Sequence, residues 1–274
     1  MLTNETYFQP ENQMQYMGSS QFKAFQRCEA AALAELRGEY SHPSSTALLV
    51  GSYVDSYYEG TLDVFKAEHP ELLKRDGTLK SDYVQADVII KRLEVDELFC
   101  LLMAGRKQVI HTGVIAGVPF KIKIDSYLDG AQCSKIVERF PETAEVFGFC
   151  DGAIVDFKCM KDFKDVWSDR EYAYLSFVET WGYDTQGAIY QAIEGNMLPF
   201  VLAVGTKERA TNLAAFSIRD GDLADKLSEV EELAPRYQSI KEGRLPPEAC
   251  GHCAYCRSQK KLSRILDYRE AGIC

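Results

Sequence analysis

The sequence lacks any apolar run long enough to cross a bilayer. Its longest, such as FCLLMA at 99–104, fall far short of the roughly 20 residues a membrane helix needs. The first twenty residues, MLTNETYFQPENQMQYMGSS, hold no apolar core of signal-peptide length, so a cytoplasmic protein with no membrane partner is expected. Internal repeats, low-complexity tracts and obvious linkers are missing as well. Positive charge is scarce: 31 Lys and Arg against 41 Asp and Glu leave a net charge of −10. That balance argues against a protein that coats nucleic acid by neutralising phosphates. It does not exclude a local basic groove, and carboxylates awaiting divalent cations themselves lower the formal charge. Nine cysteines, an odd number at irregular spacing, do not form the paired framework of a small secreted domain.

What is present fits a soluble globular chain of 274 residues, with 46% hydrophobic and 26% charged residues, long enough for one large domain or two small ones. Residues 19–37 (SSQFKAFQRCEAAALAELR) start on Ser and space Phe22, Phe25, Cys28, Ala32 and Leu36 as one amphipathic helix. Residues 46–66 and 82–104 read as two further helices. The pattern then turns β-like at 107–115, 118–128 and 152–158, with Ala116-Gly117 joining the first two runs as a hairpin. A helix over 171–194, strands at 200–205 and 213–218, and a charged helix over 220–242 complete the order. The expectation is an α/β fold with a central mixed β-sheet flanked by helices, forming a single domain over 1–274. Its parts are a mainly helical stretch at 1–105, a core at 106–242 and a Cys-rich appendix at 243–274.

The chemistry concentrates in the strands. In KIKID, Ile122 and Ile124 point one way while Lys121, Lys123 and Asp125 point the other. In GAIVDFK, Asp156 and Lys158 share a face and Phe157 turns to the opposite layer. If the two strands pair, two carboxylates and one ammonium converge at one sheet edge. Aspartate oxygens suit Mg²⁺ or Mn²⁺, and such ions activate water and polarise a phosphodiester. A salt bridge at a strand end would leave the same D-x-K triplet. On the helix that follows, Gln186 and Tyr190 of YDTQGAIY lie four residues apart on one face.

Together these residues resemble the RecB-like branch of the PD-(D/E)XK nucleases, in which a carboxylate on one strand precedes D/E-x-K on the next and Q-x-x-x-Y on a helix. Within it the chain is similar, over about residues 19–260, to phage and prophage exonucleases of the RecE (exodeoxyribonuclease VIII) type. The resemblance implies a restriction-endonuclease-like core and a metal-dependent deoxyribonuclease, working as an exonuclease on duplex DNA ends in phage-type recombination. It implies catalytic roles for Asp125, Asp156, Lys158, Gln186 and Tyr190, with Asp125, Asp156 and the Phe157 carbonyl as ligands of Mg²⁺ or Mn²⁺. A single-strand annealing protein is the implied partner, alongside DNA, and a homo-oligomer is possible. Where the family carries histidine in a G-x-x-x-H helix motif, this sequence reads Gly51-Ser52-Tyr53-Val54-Asp55. Asp55, with Glu59 one turn later, can ligate a hard cation or form a solvated helix face.

Cys250, Cys253 and Cys256 form a C-x2-C-x2-C run close to iron–sulfur and zinc spacing. A fourth donor is needed, and Cys28 is the only cysteine before residue 100. Some RecB-like nucleases, including AddB, hold a [4Fe–4S] cluster with one early cysteine and a C-terminal trio. Zn²⁺, with His252 as an alternative ligand, and an empty thiol cluster compete with that reading. Cys100, Cys133, Cys150, Cys159 and Cys274 are scattered and read as plain thiols. Two other functions stay open: a catalytically weak DNA-binding module that keeps the nuclease fold, and an iron–sulfur structural protein with an incidental acidic cluster.

Overall fold

The computed structural model describes residues 2–42, 45–168 and 171–262, together with 264, 265, 267 and 269; Cys274 lies outside the described residues. The helical elements before the sheet are α1 (Pro10–Gln15), α2 (Ser19–Arg27), α3 (Glu29–Leu36), α4 (Thr46–Glu59), α5 (Leu62–Glu68), α6 (Val84–Glu94) and α7 (Glu97–Leu102). Then come β1 (Arg106–Ile115), β2 (Val118–Asp129), α8 (Gly130–Arg139), α9 (Ala144–Phe147), β3 (Gly152–Met160), β4 (Val166–Ser168) and β5 (Ala173–Leu175). The chain continues through α10 (Phe177–Trp181), α11 (Tyr183–Glu194), β6 (Phe200–Thr206), β7 (Leu213–Ser217), α12 (Asp220–Lys241) and α13 (Ala254–Gln259). Among the described residues no helix is long and apolar enough to cross a membrane.

Two compact units divide the chain: Met1–His42 with Thr112–Lys121 and Ser228–Cys274, and Pro43–His111 with Ile122–Leu227. The chain forms a five-stranded sheet of order β1-β2-β3-β6-β7, of which β3, β6, β7 and the parts of β1 and β2 outside 112–121 fall in the second unit. β2 and β3 run antiparallel, β3 and β6 parallel, and β6 and β7 antiparallel, so the sheet is mixed, as the sequence pattern predicts. β3 and β6 are apolar along nearly their whole length because both of their faces are covered. One face carries a core in which Val54, Ile89, Leu93, Phe99, Ile136 and Phe157 are buried together. On the other, α11 lies close to β6 because residue 187 is glycine. A Cβ there would sit 2.7 Å from Phe200 Cδ1 and 2.9 Å from Leu223 Cδ2. Gly187→Ala is therefore expected to destabilise the fold by about 1–3 kcal/mol through overpacking. Urea unfolding midpoints of the two proteins measure this, and equal midpoints would contradict the close approach.

The first unit is tied by side chains reaching across long sequence separations. Phe22 and Phe25 of α2 meet Tyr237 of α12 at ring separations of 5.2 and 5.4 Å. Arg236 grips Glu29 with two hydrogen bonds of 2.6 and 2.9 Å and reaches Glu248 at 2.8 Å. Two lysines are buried here. Lys121 Nζ donates to the carbonyls of Tyr7 and Asn12, and Lys241 Nζ donates to Tyr16 O and Gln21 Oε1. Burial pulls the Lys121 ammonium down to about 8. Burial, with Lys121 as a like charge, pulls Lys241 down to about 7.

Several expected elements are divided. The helix predicted over 19–37 breaks at Cys28, which is extended (φ −166°, ψ 109°) between α2 and α3. The one predicted over 46–66 stops at Gly60, whose left-handed backbone (φ 76°) ends α4. Residues 82–104 form α6 and α7, with Asp96 capping the second by accepting from Phe99 N at 2.9 Å. The helix predicted over 171–194 is three pieces: β5, then α10 on a Ser176–Glu179 capping box, then α11 after Gly182.

Candidate active site

The acidic site is built on β2 and β3. Their register pairs Ser126 with Val155, so Asp125 and Asp156 follow on adjacent strands one step further along. Asp125 Oδ2 accepts the Phe157 amide at 2.9 Å, which ties β2 to the D-F-K segment just beyond the last paired residue, Ser126. Asp156 is 2% exposed; its Oδ1 accepts from Gln186 Nε2 at 2.6 Å and its Oδ2 lies 2.5 Å from Lys158 Nζ. Phe157 turns away, its ring packed on Tyr58 and Phe99 at 5.0 and 5.7 Å. The alternation of a strand thus delivers Asp156 and Lys158 to one face and Phe157 to the core.

α4 adds Asp55 and Glu59. Asp55 sits in the field of Lys158, Asp125, Glu59 and Asp156, and its Oδ1 is shut from solvent with no hydrogen-bond partner. Glu59 Oε1 lies 3.8 Å from Lys123 Nζ. A cavity of about 320 Å³ opens at this end of α4, lined by Ser52, Asp55, Ser56, Glu59, Thr61 and Phe65 among others. Of the Q-x-x-x-Y pair, Gln186 reaches the acidic site, whereas the Tyr190 hydroxyl donates to the Lys123 carbonyl at 3.0 Å. Tyr190 therefore anchors α11 to β2, while Gln186 contacts a carboxylate.

The electrostatics are those of crowded, buried carboxylates. Burial, then the neighbouring Asp156, push Asp125 up to about 7 against the pull of Lys158 and the Phe157 amide. Burial and the other acids outweigh Lys158 at Asp55 and push it up to about 7 as well. For Lys158 burial acts downward, but Asp156 and Asp125 outweigh it and hold the ammonium above its usual range. Like charges this close are stable together only with protons or cations between them. Asp125, Asp156 and Asp55 offer hard oxygens, the donor chemistry that suits a divalent cation, and Asp55 Oδ1 is buried with no hydrogen-bond partner.

Tyr183 belongs to the same neighbourhood. It opens α11, and Lys158 Nζ lies 5.4 Å from the centre of its ring. Burial, opposed by Lys158 and assisted by Asp156, raises its phenol above the usual value. Its position one helical turn before Gln186 is the signal that could have singled it out.

In the first unit, Cys28, Cys250, Cys253 and Cys256 place their sulfurs within 4.8 Å of one another. Cys28 Sγ is 3.5 Å from Cys256 Sγ, and Cys250 Sγ is 3.9 Å from it. Tetrahedral zinc, with bonds of roughly 2.3 Å, needs sulfurs about 4 Å apart. The extended backbone at Cys28 is what turns its side chain out of the helical path. The Cys250 thiol is raised by burial, yet hydrogen bonds from the backbone at Cys253 and His252 bring it down to about 6. His252 is not among these four, and its Nδ1 is hydrogen-bonded to the Cys250 carbonyl at 2.9 Å.

Residues 18–134 and 149–259 match the family described as PDDEXK-like domain of unknown function (DUF3799), and the chain belongs to that family. It is also similar to a candidate exonuclease from Eubacterium rectale whose crystal structure is known. The two share 38% identity and superpose with a TM-score of 0.84, covering 99% of this chain and 98% of that one. No curated protein matches the chain. The PD-(D/E)XK superfamily expected from D-F-K and its companions is the one found.

Proposed function

We propose that the chain is a metal-dependent deoxyribonuclease that hydrolyses phosphodiester bonds as an exonuclease on duplex DNA ends. The observation that carries this reading is the convergence of Asp125, Asp156 and Lys158 at adjoining positions of β2 and β3. A divalent cation held by Asp125, Asp156 and Asp55, with Glu59 and the Phe157 carbonyl at hand, would polarise the phosphate and ease deprotonation of water. The protein's own groups do the positioning. Gln186 fixes one oxygen of Asp156, and the Phe157 amide fixes one oxygen of Asp125. Lys158, kept charged by both carboxylates, stabilises negative charge that grows on the phosphate as the leaving oxygen departs. In this reading the enzyme serves phage-type recombination, and its product strand passes to a single-strand annealing protein. The net charge of −10 is compatible with an enzyme that meets DNA only at this site.

The direct test incubates linear and covalently closed circular duplex DNA with Mg²⁺ or Mn²⁺. Loss of the linear DNA from its ends with the circle spared is the expected result. A cut circle would replace exonuclease by endonuclease, and intact DNA in both tubes would end the nuclease reading.

The four cysteines are read as a structural metal site, holding [4Fe–4S] or Zn²⁺, because thiolates are poor ligands for the hard cations of hydrolysis. Protein purified without oxygen should carry iron and sulfide, or zinc, in stoichiometric amount by elemental analysis. Cys256→Ser should lose that metal and lower the thermal midpoint. A metal-free parent protein with the same midpoint as the variant would leave only four thiols.

A further inference from the structure

Three observations converge on Gln108, a residue without a role so far. First, its backbone is left-handed (φ 53°) inside β1. Glycine adopts that conformation freely, and glutamine only with strain. A left-handed residue within a strand is the geometry by which a bulge re-aims a side chain, and such strain gathers at functional sites. Second, Gln108 Nε2 donates to Asp125 Oδ1 at 3.3 Å. With Phe157 N on the other oxygen, the Asp125 carboxylate is held at both ends. Third, Gln108 Oε1 is closed to solvent and has no hydrogen-bond partner. A buried amide oxygen without a donor is unfavourable in isolation. Exchanging the two ends of the amide would not relieve this, since it would set an oxygen acceptor against a carboxylate.

We propose that Gln108 is a positioning residue of the acidic site: its amide nitrogen fixes Asp125, and its amide oxygen adds a hard donor to those offered to the divalent cation. The strain at residue 108 is then retained because it turns this amide toward Asp125, and the unpartnered Oε1 is the donor that metal binding engages. An amide oxygen is an ordinary ligand for hard cations, and unlike a fifth carboxylate it adds no charge to Asp125, Asp156, Asp55 and Glu59. The inference rests on the metal-dependent nuclease reading.

The test compares the parent protein with Gln108→Ala and Gln108→Gly. Both variants remove the amide, but only glycine also releases the backbone strain. Mn²⁺ affinity is measured calorimetrically without DNA, thermal midpoints without metal, and cleavage of linear duplex with Mn²⁺. Both variants should bind Mn²⁺ at least about tenfold more weakly, the size of effect seen when groups that orient ligands are lost. Cleavage should fall with affinity. Gln108→Gly should nevertheless melt higher than the parent, a gain that a structural prop would not give. Variants that bind Mn²⁺ as tightly as a Mn²⁺-binding, DNA-cutting parent overturn the inference and leave the nuclease reading intact. A glycine variant that melts below the parent makes Gln108 a structural residue and overturns it too. A parent that neither binds Mn²⁺ nor cuts DNA removes both readings together.

Discussion

Lys158→Ala is expected to slow DNA cleavage by about 10²–10³-fold, the loss typical of removing one preorganised group that stabilises transition-state charge. The ammonium is held charged by Asp156, 2.5 Å away, and by Asp125, so the charge is in place before substrate arrives. The side chain remains 22% exposed, and its truncation opens onto solvent rather than leaving a sealed cavity. Circular dichroism should therefore show a folded protein. With the ammonium gone, the carboxylates are expected to hold a proton more tightly, since Lys158 is what now opposes the rise of Asp125 and Asp55. Cleavage at the parent rate would remove Lys158 from the chemistry.

Asp156→Asn is expected to go further and abolish metal-dependent cleavage, with Mn²⁺ affinity down more than about tenfold. Asparagine keeps the shape of this 2% exposed side chain and can still accept from Gln186, so packing survives and charge is the quantity removed. Lys158 loses its nearest counter-ion, and Asp125 loses the neighbour that, after burial, most raises its carboxyl. Combining both substitutions should cost little more than Asp156→Asn alone, because residues acting as one unit are not additive. Calorimetry with Mn²⁺ and single-turnover cleavage read the two effects separately. Undiminished Mn²⁺ binding would place the cation elsewhere.

The acidic trio was legible because strand alternation is a local rule: KIKID and GAIVDFK announce which side chains share a face, and the pairing of β2 with β3 supplies the rest. Gln186 was legible through helical spacing, yet the same spacing did not reveal that Tyr190 bonds a backbone carbonyl. What escaped depends on contacts distant in sequence or on backbone conformations without a sequence signature. Nothing in Lys107-Gln108-Val109 marks residue 108 as left-handed, because the usual marker is glycine. The helix expected over 19–37 breaks where a tertiary contact requires it, at Cys28, which leaves the helical path for sulfurs more than 220 positions away. Between β2 and β3, Asp129 and Gln132 form a capping box at the start of α8. That D-x-x-Q signal was available in the sequence.

The unit that includes residues 1–42 also draws on 112–121 and 228–274, which sets a schedule during protein synthesis. At translation speeds of about 5–20 residues per second, α2 and α3 emerge roughly 10–40 s before Tyr237, Arg236 and the three C-terminal cysteines. Residues 43–111 and 122–227 are then already available to form the sheet. Phe22 and Phe25 spend that interval without the Tyr237 ring they meet in the finished protein, and Cys28 without the three C-terminal sulfurs. The first helices made are among the last to be secured, and a nascent chain arrested before residue 228 would display them to chaperones and proteases.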